Sequence, residues 1–225
     1  MRIPLLGELK NTIRLLFKDT FLSDLRDSRR AQRDVAAWQQ AGRPVPPPDF
    51  VKRVTLAEFG AAFHLDTFIE TGTLFGGSLY ALKHRFKTLY SIELSPELAE
   101  KTRHRFRSTP HIHILQGDSG TVLPELLEKV TTPCLFWLDG HYSGGITAQS
   151  DLDTPILKEL QAILDHPCKE HVILIDDARM FNGTHDYPTI DTLRQLFAAQ
   201  RPNDDFSVAN DAIRIHPSKS VTTTY

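Results

Sequence analysis

The stretch of sequence that decides the expected fold is Phe68-Ile69-Glu70-Thr71-Gly72-Thr73-Leu74-Phe75-Gly76-Gly77-Ser78. It has the pattern of a short apolar strand that ends in an acid and is followed by a glycine-bearing turn and a helix start. In doubly wound α/β proteins, nucleotide-like ligands bind at such a join. Glycines let the backbone turn sharply and approach a ligand, although the same turn is compatible with a purely structural role. The spacing Glu-x-Gly-x-x-x-Gly differs from the Gly-x-Gly-x-x-Gly of dinucleotide sites.

After this turn, strand-like and helix-like segments alternate along the chain. This alternation predicts an α/β fold with a Rossmann-like, doubly wound and mostly parallel sheet that carries helices on both faces. A C-terminal hairpin joined at Asn210-Asp211 would add two antiparallel strands, for seven in all. The five parallel strands are predicted at Thr67–Glu70, Thr88–Glu93, His111–Leu115, Cys134–Asp139 and His171–Asp176, with helices at Ser78–Phe86, Pro96–Phe106, Val122–Val130, Thr154–Leu164 and Thr189–Ala199.

The N-terminal part of the chain has a different pattern and predicts a helical appendage. Apolar residues recur at helical spacing over residues 3–17, a second and more polar helix is expected over residues 23–40, and another over residues 50–65. The run Gly42-Arg43-Pro44-Val45-Pro46-Pro47-Pro48 cannot be helix interior and indicates a stiff connector. We therefore divide the chain into an appendage, residues 1–49, and a main domain, residues 50–225. The first helix could bind a membrane surface or a partner, or pack on its own domain or in a homodimer.

Composition narrows the class of protein. The 225 residues have a net charge of -2, which gives no support for a nucleic-acid-binding surface. No segment has the apolar length of a transmembrane helix, and residues 1–17 do not resemble a signal peptide. The two cysteines, Cys134 and Cys168, lie in or beside apolar runs and are expected to be buried free thiols. These features predict a cytoplasmic protein.

Acidic residues stand at or just after the end of every predicted parallel strand. The carboxyl ends of parallel strands lie along one edge of the sheet, which is where ligands bind. A single acid after a strand is often a helix cap or turn former. Five acids along one edge repel one another unless a ligand or cation balances them. They are Glu70, Glu93, Asp118, Asp139 and Asp176.

The first three of these acids suggest a site for a nucleoside. Glu93 follows Glu70 by 23 residues, close to the offset at which an acid accepts hydrogen bonds from ribose hydroxyls. Asp118 and Ser119 would then meet the base of the same ligand.

Three carboxylates are expected to converge after the fourth and fifth strands. Asp139, Asp176 and Asp177 suit a hard divalent cation such as Mg²⁺, with water or substrate oxygens completing its coordination. Alternatively, Asp176 and Asp177 cap the following turn.

The loops after the same two strands carry candidates for contact with a substrate. His141 could accept a proton from a substrate hydroxyl, but it could also be a metal ligand or a hydrogen-bonding loop residue. Tyr142 is its neighbour. Arg179 and His185 lie where a loop would cover a substrate, although either could be merely solvated.

Over residues 66–216 these motifs resemble the class I S-adenosylmethionine-dependent methyltransferases. The similarity is strongest to small-molecule and sugar O-methyltransferases of the macrocin type. The acids after the fourth and fifth strands are also similar to the metal site of catechol O-methyltransferase-like enzymes, although Asp177 stands where asparagine is frequent.

The resemblance implies a function and roles for individual residues. The expected reaction is O-methylation of a sugar or another small hydroxylated molecule, with S-adenosylmethionine as cofactor, Mg²⁺ assistance, and Asp139 and His141 as catalytic residues. An acid at Glu70 near the turn favours a sulfonium over a pyrophosphate. The implied cofactor-binding residues are Glu70, Thr71, Gly72, Thr73, Gly76, Ser78, Glu93, Asp118 and Ser119, and the implied substrate-binding residues are Tyr142, Arg179 and His185.

Two other functions remain open at this point. One is a nicotinamide-dependent oxidoreductase, which lacks support because there is neither a Gly-x-Gly-x-x-Gly motif nor a Tyr-x-x-x-Lys pair. The other is a non-catalytic module that binds the nucleoside cofactor while residues 1–65 recruit a partner.

Overall fold

The computed structural model describes residues 21–139 and 154–218. The chain divides into two compact units, residues 1–51 and 52–225. In the first unit, helix α1 spans Phe21–Gln40, and the Trp38 indole N–H donates to the carbonyl of Pro44 at 2.7 Å. Helix α2 spans Asp49–Ala62. The helices predicted over residues 23–40 and 50–65 are thus confirmed, whereas the one predicted over residues 3–17 lies outside the described residues.

The second unit is built around a seven-stranded sheet, as predicted. The strands occur in the order β3-β2-β1-β4-β5-β7-β6, and the first five in this order pair in parallel. The last two join by antiparallel pairing. The strands are β1 (Thr67–Thr71), β2 (Thr88–Glu93), β3 (Ile112–Gln116), β4 (Cys134–Leu138), β5 (Val172–Ile175), β6 (Asp204–Ala209) and β7 (Ala212–Pro217).

Helices connect the strands, as the alternation of patterns predicts. Proline at the first position of α4 fits a helix start because the missing N–H has no partner there in any case, and Ser95 caps this helix by accepting from the Leu98 N–H at 3.4 Å. The helices are α3 (Gly77–Leu82), α4 (Pro96–Arg105), α5 (Ser119–Leu127), α6 (Ile156–Asp165) and α7 (Ile190–Gln200), with a 3₁₀ helix at Ala178–Met180.

The core lies on both faces of the sheet. Neighbouring residues of a strand point to opposite faces, so Phe68 and Ile69 of β1, each fully buried, belong to two different apolar clusters. All five residues of β4 are buried, as expected for a parallel strand covered on both faces. Burial of each such side chain contributes roughly 1.5–3 kcal/mol.

The C-terminal hairpin closes one edge of the sheet. Asn210 and Asp211 have φ values of 51° and 60°, which is the left-handed pair that a type I′ turn requires. The hairpin predicted at these residues is confirmed. Over residues 21–139 and 154–218, no helix has the length and apolarity needed to cross a membrane.

Candidate active site

The candidate site lies where the order of the strands changes direction. The chain leaves β1 for β2 and β3 on one side, then returns to place β4 on the other side of β1. In sheets of this kind a crevice opens between the two strands at their carboxyl ends. The glycine turn leaves β1 at this edge. The Asp139 N–H donates to the Thr71 carbonyl at 3.2 Å, which joins the carboxyl ends of β1 and β4.

The glycine turn needs backbone conformations that glycine adopts readily. Gly72 and Gly76 have φ values of 83° and 68°. At Gly76 a Cβ would also lie 2.6 Å from the Phe106 ring, so space as well as conformation requires glycine there. The Thr102 hydroxyl donates to the Leu74 carbonyl at 3.1 Å and fastens the turn to helix α4.

Glu93, at the end of β2, is held directly beneath this turn. Its two carboxylate oxygens accept one backbone N–H each, from Leu74 at 2.8 Å and from Ser95 at 2.9 Å. The side chain is 6% exposed. Each oxygen keeps a further lone pair, so the residue is fixed in position and still able to accept from a ligand hydroxyl.

Glu70 is more deeply buried than its predicted role suggests. Glu70 is 2% exposed. Its carboxyl accepts from the Ser91 hydroxyl at 2.7 Å and also hydrogen-bonds to Ser78. Burial raises the pKa of Glu70 to about 8, against the lowering effect of Ser91. The carboxyl therefore holds its proton at neutral pH, which weakens the argument that its charge selects a sulfonium.

Asp118 and Ser119 lie at the start of helix α5. Asp118 precedes the helix and is half-buried, and the Thr121 hydroxyl lies 3.4 Å from its carboxylate. Ser119 is 7% exposed and hydrogen-bonds to Glu159. Ser119 is thus turned towards a residue that the sequence analysis did not select.

Glu159 connects the cofactor-binding half of the predicted site with the acidic edge. It is 1% exposed, and it hydrogen-bonds to both Ser119 and Thr71. Burial raises its pKa to about 7, and the charges of Asp118 and Asp139 act in the same direction. Within the described ranges, its Oε1 has no hydrogen-bond partner. One signal was available: Glu159 is an acid on the buried face of a strongly amphipathic helix.

The acids after β4 and β5 do come together, and the backbone explains why. The Asp176 N–H donates to the Leu138 carbonyl at 3.0 Å, which places Asp176 beside the end of β4 and Asp139. Asp177 is left-handed, with φ 53° and ψ 49°. This breaks the alternation that would send the two neighbouring side chains to opposite faces.

A lysine that the sequence analysis overlooked contacts both neighbouring acids. The Lys52 ammonium lies 2.5 Å from Asp176 Oδ2 and 3.6 Å from Asp177 Oδ1. Burial lowers the pKa of Lys52, but the negative charges of Asp176, Asp177 and Asp139 outweigh it and raise the value overall. Burial, then Asp139, raises the pKa of Asp176.

The predicted Mg²⁺ site does not fit this arrangement. A cation already lies against two of its three proposed ligands, and Asp177 also contacts the Arg179 guanidinium at 2.8 Å. Over the described parts of the chain, no group of three or more His, Cys, Asp and Glu side chains is arranged to hold a metal ion. We therefore derive no step through a metal.

Of the remaining predicted residues, Arg179 and His185 lie in the described part of the chain. Arg179 bridges two carboxylates, since it contacts Asp177 and also Asp211 of the hairpin turn. His185 is exposed, with its Nδ1 3.2 Å from the Thr184 hydroxyl. His141 and Tyr142 lie outside the described residues, so their predicted roles stay predictions.

Comparison with known structures identifies the fold. The O-methyltransferase TomG from Streptomyces achromogenes, solved with S-adenosylmethionine, has a TM-score of 0.55 at 15% identity, over 84% of this chain and 89% of that one. The O-methyltransferase from Bacillus cereus, solved with S-adenosylhomocysteine, has a TM-score of 0.55 at 14% identity, over 91% and 97%. Podospora anserina methyltransferase PaMTH1, also bound to S-adenosylhomocysteine, has a TM-score of 0.54 at 15% identity, over 97% and 99%.

The chain therefore has the class I S-adenosylmethionine-dependent methyltransferase fold, and at this level the resemblance drawn from the sequence is confirmed. No family model matches the chain, and a search of curated proteins also found no match.

Proposed function

We propose that this protein is an S-adenosylmethionine-dependent O-methyltransferase that acts on a hydroxyl of a sugar or another small molecule. One observation carries the proposal: the glycine turn, Glu93 and the acids Asp139 and Asp176 converge at the strand-order change of a methyltransferase fold. TomG and the Bacillus cereus protein, which share this fold, are O-methyltransferases.

The cofactor-binding half of the site is the edge between β1 and β2. Here the turn from Gly72 to Gly76 would contact the methionine part of the cofactor, and Glu93 would accept from the ribose hydroxyls. Asp118 would reach the adenine. The cofactor supplies a methyl group on a positively charged sulfur, which is a strong electrophile towards an oxygen nucleophile.

The acceptor-binding half is the edge between β4 and β5. Asp139 would orient the acceptor hydroxyl, and His141 would take its proton as the oxygen–methyl bond forms. Holding the two reactants in line would supply most of the rate gain. The predicted Mg²⁺ does not enter this proposal, because Lys52 already contacts Asp176 and Asp177.

Binding and turnover measurements test the proposal. Calorimetry is expected to detect S-adenosylhomocysteine but not NAD⁺. Glu93→Gln should weaken S-adenosylhomocysteine binding about tenfold or more, because a hydrogen bond to a charged group contributes roughly 1.5–3 kcal/mol. Glu97→Gln, on the exposed face of α4, should leave the affinity unchanged.

Different failures have different meanings. Affinity for S-adenosylhomocysteine without methyl transfer to any hydroxylated acceptor would leave the non-catalytic cofactor-binding module. Preference for NAD⁺ would favour the oxidoreductase and refute the proposal.

A further inference from the structure

Lys52 reaches the carboxyl edge of the sheet from a helix that precedes the first strand. It belongs to helix α2, before the first strand of the sheet, and lies 124 residues from Asp176 in sequence. Even so, its ammonium contacts Asp176 and Asp177 at the carboxyl edge of the sheet. Its side chain is 19% exposed, compared with 2% for that of Asp176.

Towards the described residues, the ammonium uses only part of its hydrogen-bonding capacity. It has three N–H donors. The 2.5 Å contact with Asp176 uses one of them, and the 3.6 Å separation from Asp177 is longer than an ordinary hydrogen bond. The Lys52 side chain is also not fully buried.

The surrounding charges show why a cation is needed here. Asp139, Asp176 and Asp177 interact electrostatically with Lys52, and Asp176 interacts with each of the other two acids. Arg179 is shared between Asp177 and Asp211, so it offsets only part of this charge. Among the residues that the structure describes, Lys52 is the cation in direct contact with the buried carboxylate of Asp176, which also interacts with the charges of Asp139 and Asp177.

We propose that Lys52 takes the place of a divalent metal ion at this edge, neutralising the acids and binding the hydroxyl oxygen of the acceptor. The acceptor part of this statement rests on the proposed methyl transfer, whereas the replacement of the metal does not.

The chemistry expected of Lys52 is electrostatic. Because the ammonium is paired with the carboxylates of Asp176 and Asp177, it acts as a fixed positive charge and not as the base. A positive charge beside the acceptor oxygen favours the alkoxide that develops as the hydroxyl proton leaves for the catalytic base of the proposed reaction. The oxygen–methyl bond forms while the sulfur–methyl bond breaks, and the sulfonium becomes a neutral thioether.

Metal binding tests the replacement directly and without any activity assay. Mn²⁺ titration followed by electron paramagnetic resonance at pH 8 is expected to show no bound Mn²⁺ in the native protein at millimolar concentration. Lys52→Ala and Lys52→Met should acquire a Mn²⁺ site, and a further Asp176→Asn change should remove it. Lys52→Arg, which keeps the charge, should exclude Mn²⁺ as the native protein does.

A matched control and a fold check complete the binding experiment. Lys87 also pairs with an aspartate, Asp66, at 2.7 Å, but in a solvent-exposed position. Lys87→Ala should therefore gain no Mn²⁺ site. Circular dichroism establishes that each variant is folded, and Lys52→Met keeps most of the side chain's apolar stem if Lys52→Ala does not fold.

Turnover tests the contact with the acceptor. Lys52→Met should lower kcat/KM for the acceptor about 100-fold, as loss of one preorganised donor does, with S-adenosylhomocysteine affinity unchanged, while Lys87→Ala retains full activity. If no form of the protein transfers methyl groups, the proposed function fails and the Mn²⁺ experiment still decides the replacement. The inference is overturned if the native protein binds Mn²⁺ through Asp176, or if Lys52→Met keeps full kcat/KM.

Discussion

Replacing Glu70 with glutamine should change how the stability of the protein depends on pH. The Glu70 carboxyl is 2% exposed and accepts from the Ser91 hydroxyl. Burial raises its pKa from an ordinary value of 4.5 to about 8. Between these values the folded state holds a proton that the unfolded state has released. The contribution of Glu70 to the free energy of unfolding must therefore fall as the pH rises from 4.5 to about 8.

The size of this effect follows from the shift in pKa. One pKa unit corresponds to about 1.4 kcal/mol, so the Glu70 carboxyl should remove roughly 3–4 kcal/mol of stability between pH 5 and pH 8. Glutamine has nearly the same shape, can accept from Ser91 through its amide oxygen, and does not titrate. Glu70→Gln should match the native protein near pH 5 to within about 1 kcal/mol, the net value of one hydrogen bond. It should be the more stable of the two at pH 8.

Urea unfolding, followed by the fluorescence of the buried Trp137 of β4, measures this difference at several pH values from 5 to 8. Glu97→Gln is the matched control because Glu97 is exposed and its pKa is lowered by pairing with Lys101. Glu97→Gln removes an acid but should keep the pH dependence of the free energy of unfolding seen in the native protein. If the native protein and Glu70→Gln differ by the same amount at pH 5 and pH 8, then Glu70 is ionised throughout and the argument from burial is refuted.

Three further variants test the glycine turn and the buried His171, which directly precedes β5. Gly76→Ala should destabilise the protein by more than the roughly 1–2 kcal/mol of a left-handed alanine, because its Cβ would also meet Phe106 at 2.6 Å. Gly42 has φ 83°, and a Cβ there would meet nothing within 4 Å, so Gly42→Ala should lose only the stability that the left-handed conformation costs. If both variants lose the same free energy of unfolding in urea, the contact with Phe106 contributes nothing. Burial and the nearby His166 lower the pKa of His171 from 6.5 to about 3, so the contribution of His171 to stability should fall by about 1.4 kcal/mol per pH unit below 6.5, opposite in sign to that of Glu70. His171→Asn should remove this contribution and gain stability relative to the native protein as the pH drops below 6.5. A difference in stability that does not change with pH would show that His171 makes no such contribution.

The fold could be predicted from the sequence because its signals are local. The apolar run Cys134–Leu138 is buried on both faces, and Asn210-Asp211 forms the left-handed turn that such a pair favours. Parallel strands put their carboxyl ends on one edge whatever their order. The proximity of Asp139 and Asp176 could therefore be predicted from the sequence alone.

The chemistry at that edge was harder to predict because it depends on distant contacts. In sequence, Lys52 is one of several charged residues on a helix, and nothing nearby indicates that its ammonium reaches a residue 124 positions away. The left-handed backbone of Asp177 is likewise invisible in a pattern of strand residues. The sequence therefore predicted that the three acids lie at one edge of the sheet but not that a lysine contacts two of them.

Burial also changes what an acid at a strand end means. Among the acids selected from the sequence, Glu70 is buried and holds its proton at neutral pH, whereas both oxygens of Glu93 are fixed by backbone N–H groups. Glu159, which was not selected, hydrogen-bonds to Thr71 and Ser119 and interacts with the charge of Asp139. The Thr71 hydroxyl in turn lies 3.3 Å from the Asp139 N–H. One buried carboxyl thus contacts both the end of β1, through Thr71, and the start of α5, through Ser119, and its pKa responds to the charges of Asp118 and Asp139.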